Sequence, residues 1–133
     1  MGITELEAEF DISFHDSMLR TLSANFAKRT AEFVLDVCVG HPGAATESER
    51  ERRRAARLEL AGLEYLIVDP PDPKYPYRKH EPVDIDPCDP DQTMTASYPI
   101  PQGAFAGRFF VSDWNAFIHF AAMQVALTWL ESE

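Results

Sequence analysis

Two runs of alternating apolar and polar residues lie within residues 19–40, which read LRTLSANFAKRTAEFVLDVCVG. In the first run Leu22, Ala24 and Phe26 occupy every second position, and in the second the same spacing extends from Phe33 to Val39. A period of two is typical of a half-buried β-strand. The polar turn AKRT separates the runs and GHPG follows the second, so the stretch predicts an antiparallel hairpin.

The next segment, residues 44–69, changes character near its middle. Residues 48–57 are highly charged and rich in helix formers, whereas apolar residues alternate again from Leu58 to Ile67, with a break at Gly62. A helix would instead place its apolar residues three and four apart. We interpret the segment as a charged loop, in which one helical turn fits, feeding a strand pair with a bulge or turn at Gly62.

Residues 69–101 contain nine of the ten prolines in the chain. Proline donates no backbone hydrogen bond and fixes its own backbone angle, so this composition excludes long helices and central strands. We predict a long loop with a short edge strand near residues 82–85. Loops of this length are usually functional or disordered.

The most apolar part of the chain follows, at residues 103–130. A strand over residues 104–111 and a turn at 112–115 are predicted, but the run from Phe117 to Leu130 fits both a helix and a strand buried on two faces. We favour the strand because the other predicted strands need a buried centre. The fold prediction is therefore an all-β, antiparallel sandwich or partly open barrel with a long Pro-rich loop, in one domain over residues 1–133. The alternative is an α+β fold with a C-terminal helix.

The charge balance restricts the classes of partner. The chain has 22 acidic against 12 basic residues and a net charge of −10, which repels phosphate backbones. The one arginine-rich run, residues 50–57, is interleaved with and flanked by glutamates, so we interpret it as a solvated face. We expect no nucleic-acid partner.

Apolar run length and cysteine use bear on the compartment. No run approaches the roughly 18 apolar residues that a membrane span requires. The first ten residues contain three glutamates and no basic residue, unlike a secretory signal. The two cysteines, Cys38 and Cys88, form neither a metal-binding spacing nor a disulfide framework. These features predict a cytoplasmic protein with no membrane association.

Three short motifs carry a resemblance to a known group of proteins. They are residues 14–19 (FHDSML), residues 58–63 (LELAGL) and residues 114–118 (WNAFI). The chain resembles small uncharacterised bacterial proteins that open with Phe-His-Asp, some of which look like immunity proteins of polymorphic toxin systems. The resemblance implies an antiparallel β fold and supplies no catalytic residues. The Pro-rich residues 69–101 are where this chain departs most from that group.

Two sets of side chains are candidates for chemistry. His15 and Asp16 are adjacent, and with His80 they make a candidate ligand or metal site; adjacent residues on a strand point to opposite faces, so the pair meets only if the chain turns there. The alternative, which we favour, is that Asp16 caps a turn and His15 packs at a strand start. Four aspartates recur at positions 84, 86, 89 and 91, a spacing that lacks the glycine and glutamate of a calcium-binding loop and is typical of a solvated loop. We expect no resident metal or cofactor.

The aromatic residues Tyr75, Tyr77, Tyr98 and Trp114 are the candidate binding residues. Exposed aromatic side chains on loops are common interface anchors, and the alternative is that they pin the long loop onto the sheet. No nucleophile, phosphate-binding or dinucleotide motif occurs. The sequence therefore favours a non-enzymatic, acidic module that binds a protein partner. The alternatives are a small-ligand or metal-binding domain with a pocket under residues 69–101, and self-association across a two-fold axis.

Overall fold

The alternating runs of residues 19–40 form the predicted hairpin. The structure is a computed structural model, and it describes residues 2–40, 43–50, 52–74, 83–88 and 98–130, without the side chain of Cys88. Its helices and strands are, in chain order, α1 (Ile3–Phe10), β1 (Ser17–Asn25), β2 (Thr30–Cys38), α2 (Glu47–Arg50), β3 (Arg53–Val68), β4 (Val83–Cys88), β5 (Phe105–Val111) and β6 (Ala116–Trp129).

The described strands form a closed barrel in the order β1-β2-β3-β6-β5-β4, and every neighbouring pair is antiparallel. The predicted all-β antiparallel fold is confirmed, with a closed barrel in place of a sandwich or a partly open barrel. The seam that closes the barrel, between β1 and β4, consists of three residue pairs, at Ser17–Ile85, Met18–Asp84 and Leu19–Val83. This short seam sets the position of the candidate site.

The C-terminal run is a strand, so the alternative of a C-terminal helix is wrong. The first half of β6 lies between β3 and β5, and residues 118–122 are buried without interruption. A strand that is covered on both faces needs apolar residues at consecutive positions, which is why its sequence resembles that of a buried helix.

β3 is one continuous strand, where a charged loop and a strand pair were predicted. It begins at Arg53 because residues 53–61 pair with the whole of β2. Arginine is accommodated there because both Arg53 and Arg54 are exposed at the end of the strand, where the guanidinium of Arg54 lies 4.4 Å from the ring of Trp129. The predicted irregularity at Gly62 is present, since Gly62 has a φ of 63° and the register with β6 shifts just after it, between Leu63 and Tyr65. The predicted single helical turn corresponds to α2.

β4 lies close to the predicted position of an edge strand but pairs on both sides. It contains Pro87, which the Pro-rich composition placed outside central strands. The contradiction is resolved by the register: β4 pairs with β1 only up to Ile85, whereas its pairing with β5 continues to Cys88. Pro87 therefore lies where the β1 side has no strand partner among the described residues, a position that proline tolerates.

The barrel interior is filled by aromatic rings and aliphatic side chains. Phe33, Phe109 and Phe120 are fully buried, and the centroids of their rings lie 5.4–5.6 Å apart. The helix α1, which the predicted all-β fold lacks, buries Leu6 against this core. Its apolar residues at positions 3, 6 and 10 have helical spacing, a signal that the sequence does contain. Within the described residues, no helix combines the length and the apolar character that crossing a bilayer would require.

Candidate functional site

The chain turns sharply just before β1, and this turn holds the predicted pair of His15 and Asp16. Phe14 is fully buried, and its carbonyl oxygen accepts a hydrogen bond of 3.1 Å from the N–H of Ser17, which closes the turn. Asp16 takes a φ of 60°, a left-handed conformation that aspartate adopts more readily than most residues. Because the chain turns here, the two adjacent side chains are in contact, with Nε2 of His15 3.4 Å from Oδ2 of Asp16.

The turn meets β4 across the seam of the barrel. Oδ1 of Asp86 lies 2.6 Å from Nδ1 of His15 and accepts a hydrogen bond of 2.9 Å from the backbone N–H of Asp16. The guanidinium of Arg53 donates a hydrogen bond of 3.0 Å to the carbonyl oxygen of Asp16. The structure therefore brings His15 and Asp16 into contact with Asp86. Asp86 is one of the four recurring aspartates whose spacing predicted a solvated loop.

Four carboxylates follow the β1–β4 seam, and we call them the acidic strip: Asp16, Asp84, Asp86 and Asp113. Val83 and Ile85 face the core, so the residues that alternate with them in β4 face outward. Burial raises the pKa of Asp84 above its ordinary value, and the negative charges of the other three members raise it further, against a smaller opposing effect of Arg53. The strip is thus a region of concentrated negative charge.

This raised pKa predicts that Asp84→Asn stabilises the protein at neutral pH. Asp84 keeps its proton to a higher pH in the folded state than in the unfolded state, where its pKa is near 3.8. Asp84 therefore contributes stability below about pH 3.8, and this contribution is lost as the pH rises through the pKa of the folded state. Asparagine keeps the shape and never ionises. In thermal unfolding the variant should melt above the wild type at about pH 7, and the difference should vanish below about pH 4.

The matched control is Glu59→Gln, an exposed carboxylate on β3. It should give a smaller change in melting temperature between the two pH values. An Asp84→Asn variant that is less stable than the wild type at neutral pH would contradict the electrostatic reading of the strip.

An open cavity of about 540 Å³ adjoins the turn and is lined by Asp11, Ser13, His15, Asp16, Cys38 and Arg50, among others. A smaller cavity of about 320 Å³ lies at the other end of β4, between residues 19–22 of β1 and an apolar wall that includes Val68 and Trp114. Of the predicted site residues, Trp114 lines this smaller cavity, whereas His15 and Asp16 line the first. The chemistry-bearing side chains therefore belong to the first cavity.

The remaining predicted site residues divide into two groups. His80, Tyr75 and Tyr77 lie outside the described residues. Trp114 belongs to the buried core, with 9% of its surface exposed, and Tyr98 packs on the outside of the barrel. Both described aromatic residues occupy packing positions, which favours the alternative that they pin the chain; binding of a partner by the four aromatic residues stays a prediction.

His119 forms a second polar cluster that the sequence pattern did not indicate. Its side chain is almost fully buried on the outer face of β6, with Nε2 3.1 Å from Oδ2 of Asp69. The ring of Tyr98 lies over it, 5.1 Å between centroids, and the backbone carbonyl of Tyr98 accepts a 3.1 Å hydrogen bond from the hydroxyl of Tyr65. These contacts hold the segment that precedes β5 against the barrel.

Comparison with protein-family models, with curated proteins and with solved structures finds no match for this chain.

Proposed function

We propose that the chain is a non-enzymatic interaction module that binds a basic protein partner through the acidic strip. The observation that carries the proposal is the convergence of four carboxylates on one seam, in a chain whose net charge is −10. Such an arrangement concentrates negative potential on a surface where the positive charges of a partner would neutralise it. The same potential speeds the encounter with a positively charged surface.

Among the described residues, the basic side chains near the acidic strip leave a net negative field at Asp84. His15 contacts two members of the strip and Arg53 lies nearby, yet the net effect of the surrounding charges at Asp84 still opposes ionisation. Lysine or arginine side chains of a partner would lower the energy of all four carboxylates at once. The range of the attraction is set by the Debye length, about 8 Å at physiological ionic strength, so binding should weaken as salt is added.

A narrower form of the proposal is an immunity protein that neutralises a basic toxin in the bacterial cytoplasm. It is supported by the resemblance of residues 14–19, 58–63 and 114–118 and by the charge of the chain. A toxin-like protein encoded beside this gene is the first partner to test, by co-expression and measurement of cell survival. Self-association is the competing partner choice, and a mass that is a multiple of 15.0 kDa in native mass spectrometry would support it.

The location of the binding surface can be tested with two double variants of equal charge. Asp84→Asn/Asp113→Asn removes two charges from the acidic strip, and Glu9→Gln/Glu59→Gln removes two exposed charges from α1 and β3. We expect the first variant to weaken binding of an arginine-rich peptide by about tenfold, equivalent to 1.4 kcal/mol, and the second to weaken it by much less. Fluorescence anisotropy at two salt concentrations measures both.

Equal losses in the two double variants would show that only net charge matters and would remove the acidic strip from the proposal. Circular dichroism of each variant checks that the barrel is intact, because Asp113 also accepts a hydrogen bond from the backbone N–H of Asp84. The single variant Asp84→Asn retains that bond and decides the question if the double variant is destabilised.

A further inference from the structure

The contact of His15, Asp16 and Asp86 brings three metal-ligating side chains to one point. One ligand atom from each side chain can be chosen so that all three lie within 4.8 Å of one another. One imidazole nitrogen and two carboxylate oxygens make a mixed donor set. Divalent transition metals, Zn²⁺ among them, accept such sets, whereas Ca²⁺ and Mg²⁺ favour oxygen donors alone.

The backbone that carries the three donors is held in place by the fold before any ion binds. Asp86 is positioned by the pairing of β4 with β1 and β5, and its carboxylate is tied to the backbone of Asp16. The N–H of His15 donates a hydrogen bond of 3.1 Å to Oγ of Ser13, and the buried Phe14 anchors the same turn. An ion would therefore bind to a turn and a strand whose backbone is already ordered in the folded protein, so less conformational entropy is lost on binding.

Charge and access both favour a cation at this point. Two carboxylates face a single histidine, and Asp84 adds further negative charge within electrostatic range. His15 and Asp16 are more than half exposed, at 66% and 57% of their side-chain surface, and the cavity of about 540 Å³ lies beside them. Three protein ligands with an open side leave a coordination position for water, as in zinc sites that are not purely structural.

We propose that His15, Asp16 and Asp86 bind one divalent transition-metal ion of the Zn²⁺ type at the β1–β4 seam, with solvent completing its coordination. The ion takes the place of the contacts that His15 makes with the two carboxylates. This site goes beyond the proposed interaction with a basic partner. The site shares Asp16 and Asp86 with the acidic strip, but Asp84 and Asp113 are not among the ligands, so variants of these two residues test the interaction separately.

The test is a titration of the tag-free, chelator-treated 133-residue chain with Zn²⁺ by isothermal calorimetry, repeated with Co²⁺ by visible absorption. We expect one ion per chain, and we expect Asp86→Asn, Asp16→Asn and His15→Ala each to weaken binding at least about tenfold. Asparagine at position 86 can still accept the hydrogen bond from Asp16, and asparagine at position 16 tolerates the positive φ. The two asparagine variants therefore remove ligand charge and leave the turn intact.

Asp11→Asn is the matched control. Asp11 also has a positive φ, 54°, and lines the same cavity, but it is not one of the three ligands. Its affinity for Zn²⁺ should equal that of the wild type. The proposal is overturned if the wild type binds no stoichiometric ion, if Asp86→Asn binds as tightly as the wild type, or if Asp11→Asn loses as much affinity as Asp86→Asn. Should His15→Ala unfold, the two asparagine variants alone decide the outcome.

Discussion

Phe120→Ala should lower the free energy of unfolding by about 3–5 kcal/mol, the largest loss expected for a single substitution in this barrel. Phe120 is fully buried, and its ring contacts those of Phe109 at 5.4 Å, Phe33 at 5.6 Å and Phe105 at 6.4 Å between centroids. Alanine would remove all three ring contacts and leave a cavity among rings that come from two other strands, β2 and β5. Urea unfolding followed by circular dichroism measures the loss.

The surface residue Phe26 provides the same substitution as a control. It lies in the turn between β1 and β2 with 72% of its surface exposed, so Phe26→Ala should change stability by no more than about 0.5 kcal/mol. If Phe120→Ala proves too unstable to purify, Phe120→Leu should fold and show a smaller loss. Similar unfolding midpoints for Phe120→Ala and Phe26→Ala would mean that the aromatic cluster does not hold the barrel together.

Gly62→Ala should cost about 2–4 kcal/mol, from backbone strain and crowding combined. Gly62 has a φ of 63°, and a Cβ atom placed on it would lie 2.8 Å from Cβ and Cγ of Met123. The strain and the crowding act where the pairing of β3 with β2 ends and β3 continues beside β6. Thermal unfolding should therefore show a lower melting temperature and an unchanged spectrum of the folded state.

Gly43→Ala is the control for this second substitution, because a Cβ atom there would meet no atom within 4 Å. It should leave the melting temperature close to that of the wild type. Met123→Ala in the Gly62→Ala background removes one of the two crowding atoms and should restore part of the loss. An unaltered melting temperature for Gly62→Ala would show that the bend of β3 does not depend on glycine.

The hairpin of β1 and β2 could be predicted because its signal is local, whereas the C-terminal run fits helix and strand alike and was predicted as a strand because the other strands need a buried centre. Alternation over β2 correctly indicates which side chains enter the core, and Phe33 is fully buried, but the alternating Ala24 and Phe26 of the first run are exposed. The bulge at Gly62 was visible as a break in the same alternation. The start of β3 was harder to predict, since the arginines at positions 53 and 54 are accepted in a strand because both are exposed at its end.

The composition of the candidate site could be predicted only in part, because its contacts are long-range. His15 and Asp16 are recognisable as a pair, but Asp86 is 70 residues from Asp16 in the chain and reaches it through the register of β4 with β1. Alternation around Ile85 indicates that Asp86 faces outward, whereas nothing local indicates which strand lies next to it. The contact of His119 with Asp69 is hidden for the same reason.

The three-pair seam between β1 and β4 also governs how the barrel forms. It joins residues 17–19 to residues 83–85, so it closes a long loop of chain with few hydrogen bonds. We expect such contacts to form late in folding, because the conformational entropy of the loop is lost before the contacts stabilise the structure. A ligand held by Asp16 on one side and Asp86 on the other would bind only after this closure. It would slow the opening of the barrel at the seam that, among the described residues, has the fewest paired residues.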